Sequence, residues 1–257
     1  MYEPTKLAIA GDWHGNAGWA RHAIEYAADN GADVMVHVGD FGYWVRATER
    51  GSDTWEYLER VSAAVSKTGI EFLWLPGNHE HWPMLPGLAG RGPSVEPVHG
   101  NLLYLPIGYR WEWWEKKFMA VGGAFSIDRF LRKEGLAWWP EEVLTDEDVT
   151  WCCHQPHGVD VIFSHDCPAG VDIPGIGPDS KPRGGKDIWP PAMLYGAADH
   201  RRKMKEIWDK HRPQRYFHGH YHVEHETWYG TTKFIGLDMD GTRMSANVKF
   251  LTAADLK

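Results

Sequence analysis

The chain has few cysteines, no apolar run long enough to cross a bilayer and no surplus of positive charge, and each shortage excludes a class of protein. Three cysteines, two of them adjacent at Cys152 and Cys153, leave at least one thiol unpaired and suit a reducing compartment better than a disulfide framework. No stretch approaches the roughly 18 apolar residues of a membrane-spanning helix. Met1 to Lys6 carries charge and a proline where a signal peptide has basic, apolar and small-residue regions. The expected location is therefore cytoplasmic and off the membrane. Asp and Glu number 35 against 27 Lys and Arg, a net charge of −8, so the average surface repels polyanions and non-specific nucleic-acid binding is not expected. Metal ions held by carboxylates would reverse that field locally.

What is present suits a globular α/β protein. At 257 residues, 43% hydrophobic and 24% charged, the chain can bury one core, and no repeat, low-complexity tract or linker divides it, so one domain over 1–257 is expected. The 15 tryptophans cluster at Trp111, Trp113, Trp114 and at Trp138, Trp139, where they suit core or interface surface and leave room for an oligomer.

Along the first third, apolar runs alternate with helical patterns: Leu7 to Ala10, Trp19 to Asn30, Val34 to Val38, Asp53 to Ser66 and Phe72 to Leu75. That is a βαβαβ reading, with strands apolar on successive residues as in sheets covered on both faces. From Asn101 onward strands are expected at Leu102 to Leu105, Lys117 to Val121, Val159 to Phe163, Tyr216 to Phe217, Thr232 to Leu237 and Asn247 to Leu251, with one helix over Met193 to Lys210. Pro168 to Pro191, rich in Pro and Gly, reads as an irregular loop near His165.

Five of these strands run into polar clusters, and strand carboxyl ends are where open α/β sheets bind ligands. Asp12 and His14 lie two apart, which on an extended backbone puts both side chains on one side, a carboxylate and an imidazole suited to a divalent metal. Asp40 follows Gly39; its two oxygens let it bridge two cations, as neither an imidazole nor an amide can. Gly77-Asn78-His79-Glu80 offers an amide oxygen beside a histidine that can stay unligated as an acid. His165 adds an imidazole, and His220 and His222 repeat the spacing of Asp12 and His14, with Gly219 permitting close backbone approach. Singly, each has a duller explanation as a turn, a cap or a surface histidine. Together and in order, they do not.

Gly11-Asp12-x-His14, Gly39-Asp40, Gly77-Asn78-His79-Glu80, His165 and Gly219-His220-x-His222 resemble the full motif set of the calcineurin-like metallophosphoesterases. The resemblance implies a central β-sandwich flanked by helices, a four-layer αββα fold. It implies a dinuclear site that hydrolyses phosphate mono- or diesters by attack of a metal-bound hydroxide. One metal would take Asp12, His14, Asp40 and His222, the other Asp40, Asn78, His165 and His220. Catalysis would fall to Asp40 and His79, with His79 as the acid. Glu80 is expected to orient its ring. Manganese is the first expectation for the pair, with iron, zinc or nickel also compatible with mixed oxygen and imidazole ligands.

Here Gly39-Asp40 continues Phe41-Gly42-Tyr43-Trp44, without the arginine that the protein-phosphatase branch carries in this motif, and Pro76-Gly77 stands where that branch has Arg-Gly. Arg46 or Arg129 is the expected substitute cation. For a small phosphate-ester substrate, nucleotides included, Tyr43, Trp44 and Trp82 are the expected stacking surfaces, and Lys181, Arg183 and Lys186 place the 168–191 loop as an expected lid. The other reading is a non-catalytic metal-binding scaffold or interaction module on the same fold.

Overall fold

The computed structural model describes residues 1–87, 94–154, 158–178 and 189–257. Twelve strands among them form two six-stranded sheets. In the first, β1 (Leu7–Ala10), β2 (Val34–His37), β3 (Glu71–Trp74) and β5 (Leu102–Tyr104) run parallel. The antiparallel β4 (Glu96–His99) and β12 (Val248–Leu251) close its edges. The second repeats that plan. Its parallel strands are β7 (Lys116–Val121), β8 (Val161–Ser164), β9 (Arg215–His218) and β11 (Thr232–Gly236), edged by β6 (Arg110–Trp113) and β10 (His225–Tyr229).

Strand alternation sorts the apolar side chains into two cores. Leu7, Ile9, Val34, Val36 and Leu73 of the first sheet meet Trp111, Trp113, Phe118, Val161, Phe163 and Phe217 of the second between the sheets. The intervening residues Ala8, Ala10, Met35, Phe72 and Trp74 turn outward to α1 (Ala17–Asp29) and α2 (Asp53–Thr68), while Met119, Ile162 and Tyr216 turn to α3 (Asp146–Cys153) and α4 (Pro191–His211). The result is the expected four-layer α/β fold, two mixed sheets with helices on both sides. Because strands lie between sheet and helices on both faces, they read as continuous apolar runs.

Among the described residues, three strands and two short α-helices, α3 and α5 (Met244–Asn247), escaped the sequence reading. In β6 only Trp111 and Trp113 point into the core, alternating with Arg110 and Glu112, while β4 and β10 are polar edge strands without an apolar pattern. Helix α3 is short, and its start is a capping box between Thr145 and Asp148. The first part of the expected lid is pinned: buried Arg201 of α4 donates hydrogen bonds to the carbonyls of Cys167, Pro168, Val171 and Gly177. Lys181, Arg183 and Lys186 lie outside the described residues.

Candidate metal centre

The paired registers Ala10 to His37 and His37 to Trp74 level the carboxyl ends of β1, β2 and β3. Asp12, Asp40 and Asn78 stand two to four residues beyond them, and His165, His220 and His222 follow β8 and β9 of the other sheet. Extended spacing is not what brings the pairs together. His14, Asp40, His220 and His222 have φ of 45°, 50°, 69° and 53°, so the chain turns left-handed at four of the expected ligands. Each such residue costs on the order of 1–3 kcal/mol of backbone strain, a pattern found at functional sites.

Glycines let the backbone approach the carboxylates. A Cβ at Gly77 would lie 2.2 Å from Asp40 Oδ1, and one at Gly219 would lie 2.2 Å from Asp12 Oδ1. Gly219→Ala is therefore expected to displace Asp12, costing about 1–3 kcal/mol of stability and weakening metal binding by about tenfold or more. Gly18→Ala is the control, since its nearest neighbour is 3.6 Å away. Denaturant melts and metal titration of both proteins check this; equal metal affinity would remove the close approach from the account.

Around Asp40 the side chains divide into two sets. Its Oδ2 faces His14 Nε2 at 3.7 Å, and its Oδ1 faces His165 Nε2 at 3.4 Å. Asp12, His14, Asp40 and His222 bring one donor atom each to within 4.8 Å of one another, His222 Nε2 lying 3.1 Å from Asp12 Oδ2. On the other side, Asn78 Oδ1 lies 3.0 Å from His165 Nε2, and the His220 ring centroid is 5.0 Å from that of His165. Two ligands at right angles about 2.1 Å from one cation are about 3.0 Å apart, so these separations suit shared coordination.

Outward contacts aim each donor. His14 Nδ1 donates to Asp240 Oδ1 at 2.9 Å, His165 Nδ1 donates to Val38 O at 2.9 Å, and Asn78 Nδ2 donates to Ser126 Oγ at 2.9 Å, leaving His14 Nε2, His165 Nε2 and Asn78 Oδ1 for the centre. Tyr221, between the two histidines, donates to Asp166 Oδ1 at 2.5 Å, and Asp166 also accepts from His200 Nδ1 at 2.7 Å, which ties the β9 loop to the β8 loop.

The field at this point is strongly negative. Asp12 and Asp40 are buried side by side, and Asp12 Oδ1 has no hydrogen-bond partner. Burial alone would drive protons off the imidazoles, yet Asp40, joined by Asp12, pulls His165 up to about 10 and His14 up to about 9. Burial would likewise raise Asp40, but His165, His79 and His14 hold it well below the usual carboxylate range. His220 is pushed down to about 4 by burial, against the pull of Asp166, and stays neutral, as a metal ligand must. A buried, partnerless carboxylate oxygen in a cluster of imidazoles fits divalent cations, which would take the place of the protons that the carboxylates hold on His14 and His165.

The pattern of the calcineurin-like phosphoesterase family matches residues 5–224. The chain belongs to that family. Among solved structures, a dimetal phosphatase from Danio rerio superposes with TM-score 0.52 at 15% identity, over 92% of this chain and 88% of that one. TT1561 of Thermus thermophilus gives 0.51 at 12%, over 98% and 96%. GAP50, the anchor in the inner membrane complex of Plasmodium, gives 0.50 at 9%, over 98% and 79%. At these identities the likeness is one of fold. No curated protein sequence matches the chain.

In this calcineurin-like phosphoesterase, two residues beside the centre were not foreseen. Arg132 Nη1 donates to His79 Nδ1 at 3.1 Å and to Ala137 O at 2.7 Å, while Nη2 donates to Asp128 Oδ1 at 2.5 Å. Nδ1 of His79 thus accepts, so in the neutral ring the proton sits on Nε2, 3.9 Å from Asp40 Oδ2. Burial lowers the His79 pKa against the pull of Asp40, and Arg132 adds to the lowering. Asp240 had a readable signal, an acid just past β11, like the acids past β1 and β2; Arg132, in the irregular stretch after β7, had none.

Four expectations need correction. Glu80 does not orient the His79 ring: it accepts from the backbone N–H groups of Gly42 and Gly77, tying together the loops after β2 and β3, and burial with Asp40 raises it to about 7. Trp82, expected to stack on substrate, is fully buried and donates from Nε1 to Gly77 O at 3.1 Å. Tyr43 is buried as well, its ring tilted against Trp74, so neither aromatic offers a stacking face. Arg129 packs its guanidinium over the rings of Phe125 and Trp138, 3.8 and 4.8 Å from their centroids, and Arg46 pairs with Glu49 on the surface. Arg183 lies outside the described residues. No helix among the described residues is long and apolar enough to cross a membrane.

Proposed function

We propose that this phosphoesterase hydrolyses phosphate mono- or diesters of small molecules, nucleotides among them, at a dinuclear site. Asp12, His14, Asp40 and His222 hold one divalent ion and Asp40, Asn78, His165 and His220 the other. One observation carries this reading: Asp40 turns one carboxylate oxygen to each set. Bound there, two cations supply a water deprotonated near neutral pH and offset charge on the phosphoryl group. His79, its Nε2 proton fixed by Arg132, protonates the departing oxygen. Manganese is the expected metal, and the free thiols Cys152, Cys153 and Cys167 support a reducing, cytoplasmic setting. The continuous core between the sheets supports reading 1–257 as one domain.

The rival reading, a scaffold on the same fold, draws on the anchor described above. A scaffold has no need of an acid histidine held in one tautomer. Hydrolysis of a panel of mono- and diesters with manganese, iron, zinc or nickel, against a chelator-stripped control, tests the choice. Turnover should vanish on stripping and return with metal; turnover that survives stripping would reject the metal-dependent mechanism, and none with any metal would reject the enzyme reading.

A further inference from the structure

Resting on that reading, a second feature narrows the substrate. Next to His79 is a cavity of about 310 Å³ whose apolar walls include Trp44, Leu136 and Trp139 and whose polar lining is His79 and Arg132. Arg132 already spends its terminal nitrogens on His79, Ala137 and Asp128, so the cavity presents ring faces and aliphatic surface in place of directed hydrogen bonds. The apolar character continues outward: Leu136 is 55% exposed, and Phe130 and Leu131 of the same stretch are also exposed. Isolated exposed apolar residues are ordinary, but a cluster joined to a cavity beside an acid marks a ligand site.

We infer that this cavity receives the alcohol half of the ester and selects substrates whose leaving alcohol is aromatic. His79 lines both regions, with Nε2 toward Asp40 and its ring in the cavity wall. An oxygen taking its proton from Nε2 would therefore carry its substituent into the space between Trp44 and Trp139. The reaction stays balanced: the water oxygen bonds to phosphorus and its proton passes to solvent, the bond from phosphorus to the alcohol oxygen breaks, and the alcohol leaves with the His79 Nε2 proton, which solvent restores. With three of the Arg132 terminal N–H groups engaged and its unpartnered Nε buried, discrimination comes mainly from burying a ring.

Benzyl and methyl phosphate test this, since their leaving alcohols are closely similar in acidity and differ in the ring; both are offered as the monoester and as the methyl diester. With manganese, kcat/KM for the benzyl ester should exceed that for the methyl ester by about 10- to 100-fold. Leu136→Asp and Trp44→Ala should each bring that ratio to within about threefold of unity. Calorimetry with benzylphosphonate and methylphosphonate should show the same order in Kd. A parent ratio near one, or a ratio that survives both variants, overturns the inference while leaving the phosphoesterase reading intact. Should neither ester be turned over with any metal, that reading fails first, and the phosphonate affinities decide the cavity alone: equal affinities reject it, a benzyl preference lost in Leu136→Asp sustains it.

Discussion

Asp40→Asn should leave the protein holding about one divalent ion where the parent holds two, and should lower kcat/KM by about 10³-fold or more. Asparagine matches aspartate in shape and is among the few residues at ease in a left-handed conformation, so the φ of 50° at this position is kept. Its amide oxygen can still accept the His79 N–H, which Asp40 Oδ1 accepts at 3.0 Å, and the backbone carbonyl that takes the N–H groups of Trp13 and His14 is untouched. What disappears is the second ligating oxygen, replaced by an NH₂ that cannot bind a cation, together with one of two buried negative charges. Metal analysis after desalting and steady-state kinetics measure both effects. Two retained equivalents with the parent's rate would mean that the two sets do not share this carboxylate.

His79→Gln should keep both ions and lose about 10²- to 10⁴-fold in kcat. His79 stands outside the donor group of Asp12, His14, Asp40 and His222, and one of its ring nitrogens is taken by Arg132. The loss should be largest for alkyl esters, whose alkoxides need a proton to leave, and smallest for 4-nitrophenyl phosphate, whose phenolate leaves unaided. A uniform loss across leaving groups would assign His79 to phosphoryl binding instead of proton transfer, and an undiminished rate would remove it from the chemistry.

The fold was legible where a strand is covered on both faces. Runs such as Val34 to Val38 have no polar alternation because one side of β2 meets the second sheet and the other meets helices. Edge strands β4 and β10 carry no such pattern, being paired by the backbone with little apolar burial, and so left no trace. At the centre, residue types and order were legible because ligands must follow strands that end at one rim. Their geometry was read for the wrong reason: left-handed turns at His14 and His222, not strand alternation, present the side chains.

Sequence alone determined the family and the inventory of donors, since a metal demands particular atoms and those atoms belong to few residue types. Tertiary structure decided who holds those donors and what stands next to them. Asp240 on His14, Ser126 on Asn78 and Arg132 on His79 are partners 226, 48 and 53 residues away in the chain. Hydrogen bonds over such separations obey no local spacing rule, because they form only after two sheets have packed and brought unrelated loops to one rim. For the same reason, Trp82 and Tyr43 passed from expected substrate contacts to core: in the chain an aromatic beside a motif is simply near it, and only packing determines which way the ring turns.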